Sequence, residues 1–241
     1  MNVGDQMVFQ RYEIKYLLNP TQKAALLEAM APQMALDQYG RTTVRSIYYD
    51  TDTYRLIRRS IERPVYKEKL RLRSYRQAGM GDPIFVELKK KYRSVVYKRR
   101  LSLSQGEALD CLATGSPLPV ASQIADEIDY FRRYYGRLIP AAFLSYEREA
   151  YYALDGSELR VTFDENILAR FSGFSFQEGI YGTPLLNREA TLMEIKTAGG
   201  LPLWLSHCLS SQRAFKTSFS KYGSAYQRLI LPALEGGRRY A

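Results

Sequence analysis

Along much of the chain, charged and bulky apolar residues alternate one by one rather than in threes and fours. A period of two belongs to strands, whose successive side chains leave opposite faces. It runs through residues 9–18, 42–50, 64–76, 84–92, 94–103, 141–152, 159–164 and 191–197 and predicts about eight strands. Helical segments lie between them. Asn19-Pro20 offers a cap and a first-turn proline for a helix over 21–30, and Ser104 caps another over 105–113. Further helices are expected over 52–61, 121–135, 203–210 and 222–231, with turns at Gly79–Pro83 and Gly199–Pro202 and a loose tail over 235–241. Without repeats, low-complexity blocks or long linkers, the chain reads as one α+β domain built on an antiparallel sheet.

The alternation sorts the strands into faces. Arg11, Glu13 and Lys15 share a face opposite Tyr12, Ile14 and Tyr16. Lys67, Lys69, Arg71 and Arg73 form a second charged row, Glu87, Lys89 and Lys91 a third, Glu194 and Lys196 a fourth, and Arg160, Thr162 and Asp164 a fifth. Solvent faces of sheets usually mix signs, because like charges opposite one another on neighbouring strands destabilise the pairing. Here cations dominate, and the opposite faces are rich in Tyr, Ile, Leu and Val. That arrangement fits a barrel with a charged, wet lumen and an apolar exterior covered by helices. A polyanion in the lumen removes the cost of several kcal/mol that each desolvated, unpaired cation would carry.

Composition supports an anionic partner. Of the 241 residues, 35 are Lys or Arg and 25 Asp or Glu, a net charge of +10. Between Arg55 and Arg100 there are 16 basic and 4 acidic residues, so the excess is local. The single histidine, His207, leaves little basis for histidine-dependent nucleophilic catalysis or zinc ligation. No GxxxxGK[ST] or GxGxxG loop is present, so bound phosphates must be held by side chains. Nucleic acid is disfavoured, because a single-strand platform would interleave exposed aromatics where this chain interleaves glutamates. No apolar run is long enough to span a membrane, and the N-terminus lacks the zones of a signal peptide. Cys111 and Cys208 read as two reduced thiols.

The segments FQRYEIKYLL, RSIYYDT, KLRLRSY, FVELKKK, YKRR, LSYEREAY, RVTFDENI, LMEIK and FSKY follow one another over residues 9–222. In that order they resemble the VTC domain, the catalytic domain of vacuolar transporter chaperone polyphosphate polymerases, within the triphosphate tunnel metalloenzymes. The first strand resembles the ExExK signature of that superfamily, with Arg11 in place of the first glutamate.

The resemblance implies a closed eight-stranded antiparallel tunnel with a basic lumen and helices packed outside. It implies transfer of the ATP γ-phosphoryl group to a growing inorganic polyphosphate chain, with Mn²⁺ or Mg²⁺ as cofactor. Arg71, Arg73, Lys89 and Arg148 would grip the reacting phosphates. Lys15, Lys98, Arg160, Lys196 and Lys221 would extend the phosphate-binding wall, with Arg99 and Arg100 as alternatives in register to Lys98. Glu194 would bind the metal, with Glu13 and Glu87 as further carboxylates that either join it or pair with cations. Arg45, Arg55, Arg58, Arg59, Arg63, Lys90, Arg93 and Arg99 are expected at the surface, and Trp204 and His207 in packing. Two alternatives stand beside the polymerase. One is another tunnel enzyme, a tripolyphosphatase or a nucleoside or thiamine triphosphatase; the other is a non-catalytic binder of polyphosphate or inositol phosphates. Lacking the regulatory and membrane modules of the eukaryotic proteins, the chain is expected in the cytoplasm or at the inner face of the membrane. There it could dock on a separately encoded membrane protein.

Overall fold

The alternating segments do become strands. The computed structural model describes residues 12–93 and 95–238, so Arg11 and the first residues of the expected first strand lie outside the described part. The strands are β1 Tyr12–Leu18, β2 Met34–Leu36, β3 Thr42–Asp50, β4 Tyr66–Ser74, β5 Pro83–Tyr92, β6 Val95–Ser104, β7 Ile139–Ala153, β8 Arg160–Arg170, β9 Thr183–Pro184, β10 Thr191–Thr197 and β11 Lys216–Thr217. All pairings are antiparallel, in the order β11-β1-β10-β8-β7-β3-β4-β5-β6, with β2 added on β7 and β9 on β8.

Two expectations are corrected here. The sheet has eleven strands rather than eight, because β2, β9 and β11 are two- and three-residue pieces with no alternation to announce them. It is also not closed into a barrel, since among the described residues β6 and β1 share no backbone ladder. The sheet is nevertheless strongly curled. β1 and β5 stand six steps apart in strand order, roughly 29 Å in a flat sheet at about 4.8 Å per step, yet Lys89 Nζ on β5 lies 3.2 Å from Glu13 Oε2 on β1. The Lys89–Glu13 ion pair spans the gap that backbone hydrogen bonds leave open.

The convex face is apolar, as alternation requires. Leu70, Leu72, Val86 and Leu88 are fully buried against α3 (Gln105–Thr114) and α4 (Gln123–Tyr135). Tyr16, Val161, Phe163, Met193 and Ile195 pack under α1 (Pro20–Met30) and α5 (Leu203–Ser211). Burying each such side chain contributes about 1.5–3 kcal/mol. The caps expected at Asn19 and Ser104 form, each as a reciprocal box with Gln22 or Glu107.

The C-terminal helices depart from the expected exterior placement. α6 (Lys221–Ala225), a π turn (Tyr226–Ile230) and α7 (Leu231–Arg238) follow in series, so the tail expected from residue 235 is helical as far as Arg238. Tyr222, Ala225, Tyr226 and Ile230 pack with Val44, Tyr48, Leu144, Tyr146 and Leu192, which leave their strands on the concave side. The chain end therefore crosses the inner face and fills part of it.

A buried carboxylate fixes this arrangement. Asp50 ends β3 and accepts the backbone N–H groups of Thr51, Leu56 and Ile57 at 2.8–2.9 Å. It thereby supplies the cap that the left-handed Tyr54 cannot give α2 (Arg55–Ile61). It also accepts the Tyr222 hydroxyl at 3.0 Å, tying α2 to α6. Asp50→Asn turns an amide donor toward these donors and should lower the unfolding free energy by about 2–3 kcal/mol, with Tyr222→Phe costing about 1 kcal/mol. Urea unfolding reads both, and an Asn variant as stable as the parent would remove this anchor from the account.

Candidate functional site

The cationic row of β4 lies on the concave face, half-buried, and its neighbours explain how it is tolerated. Arg71 pairs across strands with Glu87 of β5 and Tyr48 of β3, and Glu87 in turn pairs with Arg100 of β6. Glu87, 1% exposed, is the shared counter-ion of four cations: Arg71 and Lys98 at 2.7 Å, Arg100 at 2.5 Å and Arg73 at 3.7 Å. Burial alone would raise its pKa, but the surrounding cations hold it far below the usual carboxylate range. Arg71 also donates to the Tyr48 hydroxyl at 2.8 Å, and Arg73 to Ser46 at 3.3 Å and the Tyr146 hydroxyl at 3.2 Å. The register of β6 is thus settled. Lys98 and Arg100 face inward, while Arg99 points to Glu127 of α4 at 3.0 Å.

A second cluster stands on β7, β8, β10 and β1. Arg148 grips Asp164 with two nitrogens, at 2.6 and 2.7 Å, and reaches Glu194 at 3.6 Å. Lys221, delivered from the start of α6, lies 2.5 Å from Asp164, 3.6 Å from Glu194 and 4.4 Å from the centre of the Tyr146 ring. Lys15 contacts Glu194 at 3.0 Å and Glu13 at 3.7 Å, and donates to the Phe219 carbonyl. Burial opposes ionisation of both Asp164 and Glu194, yet Lys221 and Arg148, with Lys15 at Glu194, hold both carboxyls low. Glu13 behaves alike: burial raises it, and Lys89 and Lys15 bring it down to about 2.

The remaining lysines carry the strain of this charge density. Burial lowers Lys69 to about 8, helped by Lys67, Lys89 and Lys15; its ammonium donates to Ser220 Oγ, at 3.1 Å. Lys196 is also lowered to about 8, by burial and Arg148 against the opposing pull of Glu194. The buried phenol of Tyr48, which burial would raise, is brought down to about 8 by Arg71, Arg73 and Lys69. Among the described residues, Lys15, Lys67, Lys69, Arg71, Arg73, Lys89, Lys91, Lys98, Arg100, Arg148, Lys196 and Lys221 are twelve cations on a face with four carboxylates, Glu13, Glu87, Asp164 and Glu194. Among the described residues, cations therefore outnumber carboxylates on this face.

Most of the expected site residues therefore meet on one surface. Arg160 is the exception, exposed at the start of β8, and His207 is exposed on α5, outside the cluster. Trp204 packs against the core beneath α1 and α5. Lys69, Arg100, Asp164, Tyr48 and Tyr146 belong to the site as much as the residues expected there. Lys69 and Asp164 carried a signal, since both stand in alternating charged rows. The tyrosines carried none, because inner and outer faces are both rich in aromatics. Of the expected surface cations, Arg55, Arg58, Arg59, Arg63 and Arg93 are exposed, whereas Arg45 is buried. Among the described residues no group of three or more His, Cys, Asp or Glu side chains is placed to hold a metal, and no helix is long and apolar enough to cross a membrane.

No curated protein matches the sequence. A solved structure from Bacillus halodurans, described as a "putative adenylate cyclase", is similar at 16% identity with a TM-score of 0.54, over 90% of this chain and 95% of that one. Another of the same description, from Vibrio parahaemolyticus, is 12% identical with a TM-score of 0.48, over 89% of this chain and 96% of that one. The first likeness is one of fold. The VTC domain matches residues 10–230, a span holding every strand and every cation of the concave face, and the chain belongs to the VTC domain family.

Proposed function

We propose that the chain is a polyphosphate polymerase that transfers the γ-phosphoryl group of ATP to the end of an inorganic polyphosphate chain lying along the concave face. The observation that carries this reading is the unbalanced charge there, twelve cations against four carboxylates among the described residues of the concave side. A polyanion supplies, along its length, what the fold leaves missing.

Phosphoryl transfer asks little covalent chemistry of a protein; it asks for alignment and for stabilisation of charge spread over the equatorial oxygens. Arg71 and Arg73 offer planar forks whose positions are set by Glu87, Tyr48, Ser46 and Tyr146. Lys89 and Arg148 hold phosphates from the two sides of the curl, anchored by Glu13 and Asp164. Lys15, Lys98, Lys196 and Lys221 carry the remainder of the acceptor chain, and Arg160 extends that path toward solvent. A terminal oxygen of the acceptor forms a new bond to Pγ as the bond from Pγ to the β–γ bridging oxygen breaks, and ADP leaves with that oxygen. The acceptor oxygen is already ionised near neutral pH, so no general base is required.

The carboxylates fit a divalent ion that brings ligands of its own. Glu13 and Glu194 share the Lys15 ammonium, and Mg²⁺ or Mn²⁺ takes one or two protein carboxylates together with phosphate oxygens and water. Glu194, with Glu13 beside it, would hold such an ion, which supplies neutralisation of the triphosphate. Glu87 is committed to its four cations.

Incubation with ATP and Mn²⁺, following ADP, free phosphate and long-chain polyphosphate, tests the reaction. Polymer with ADP is expected; free phosphate without polymer would make the chain a hydrolase, and binding without turnover a receptor. Arg71→Ala should lower the rate by about a hundredfold or more. It should leave the fold intact, because Glu87 retains Arg73, Lys98 and Arg100. Normal turnover in that variant would remove Arg71 from the site.

Proton linkage gives a second test. Lys69 and Lys196 lose protons near pH 8 in the folded protein, against about 10.5 in the unfolded chain, so between those values the folded state holds fewer protons. Their burial penalty is present below pH 8 and is relieved as pH rises toward 10.5. A bound polyanion restores their charge. Tripolyphosphate binding at pH 9 should therefore take up protons, seen as a dependence of calorimetric heat on buffer ionisation enthalpy. Little uptake is expected at pH 6.5, and less at pH 9 in Lys69→Gln. Proton release at pH 9 would contradict the assignment.

A further inference from the structure

On the convex face, two arginines are buried without an ion pair among the described residues. Arg45 leaves β3 opposite to Ser46 and Tyr48, whose hydroxyls bond Arg73 and Arg71, so it does not face the polyanion surface. It is 8% exposed, its Nε has no partner, and among the described residues it makes no ion pair. Its cross-strand neighbour on β7 is Ser145, fully buried, whose hydroxyl also has no partner. One row along the same face stands Arg170 of β8, paired with Phe143 and 5% exposed.

The chain after β8 closes over this spot. Arg170 donates to the carbonyls of Gly173, Ser175 and Tyr181 at 2.9–3.3 Å. Its guanidinium lies 3.5 Å from the Phe143 ring centre and 4.1 Å from that of Tyr181. Carbonyl dipoles and ring faces hold the cation in place without cancelling its charge. Glu178, whose charge reaches Arg170, is exposed and accepts from the Tyr181 hydroxyl instead. Burial and the neighbouring Arg170 both push the Arg45 guanidinium toward losing its proton. Arg45 and Arg170 are like charges near one another on this face, and the orphaned donors are the Arg45 Nε and the Ser145 hydroxyl.

We infer that Arg45, Ser145 and Arg170 form a binding site for a free phosphate-sized oxyanion, on the opposite side of the sheet from the polyanion surface. An arginine fork and a hydroxyl suit a tetrahedral oxyanion. Ser145 is the small residue between the arginines, and the chain that covers Arg170 suits the site to a free ion rather than the end of a chain. Bound there, the ion ties β3, β7 and β8 together behind Ser46, Leu144 and Tyr146. The inference stands on its own geometry and does not require the polymerase reading.

The test titrates the purified chain with orthophosphate at constant ionic strength, by calorimetry and by thermal unfolding. Saturable binding is expected in the parent protein and in Arg71→Ala. Arg45→Met should weaken orthophosphate binding at least tenfold while binding tripolyphosphate as the parent does, and Ser145→Ala should weaken it several-fold. In phosphate-free buffer Arg45→Met should unfold at the same or a higher temperature, because an unpaired buried charge has been replaced by an apolar chain of similar length. Saturable orthophosphate binding that Arg71→Ala removes and Arg45→Met leaves would overturn the assignment. Absence of saturable binding in the parent would overturn it too, whichever way stability moves.

Discussion

Repulsion among like charges on the concave face is the constraint to which the rest of the structure responds. A sheet tolerates a cationic strand beside another only if counter-charge lies within reach. Glu87 supplies it for β4, β5 and β6, where four cations share one carboxylate. Asp164 and Glu194 supply it for β1, β7, β8 and β10. Between the two clusters, Lys69 and Lys196 have weakened holds on their protons. The face is balanced enough to fold and still carries an excess of cations among the described residues.

Curling follows from the same chemistry. The Lys89–Glu13 pair joins strands that a flat sheet would keep far apart, and no backbone ladder does so among the described residues. The apolar layer outside supplies the driving force, with Leu70, Leu72, Val86 and Leu88 under two helices and Val161, Phe163, Met193 and Ile195 under two others. α6 then enters from the inside. It brings Lys221 to Asp164 and Tyr222 to Asp50, so one short helix both completes the site and pins α2. Stability and the charged face are coupled through these four residues.

Much of this was legible from alternation. Arg71, Arg73 and Glu87 lie inward and their apolar neighbours outward because a strand allows no other arrangement once one face is apolar. The helix caps at Asn19 and Ser104 were legible from local chemistry. Three things were not. β2, β9 and β11 are too short to carry a period, and their pairing is dictated by neighbours. Tyr222–Ile230 has the same apolar character whether it packs inside or outside the curl. Arg45, on a strand of mixed pattern, gave no sign of being buried beside Arg170.

By itself, then, the sequence determined the strands, their two faces, the local helix signals and the excess of cations, because these depend on side-chain period and charge between residues close along the chain. The tertiary structure decided which cations share which carboxylate, how far the sheet curls without closing, and that α6 lies within the concave side. Those outcomes depend on contacts such as Lys221 with Asp164 and Lys89 with Glu13, whose partners are separated by 57 and 76 positions. Electrostatic compensation at that separation is set by how the strands are ordered in space, which no local pattern encodes.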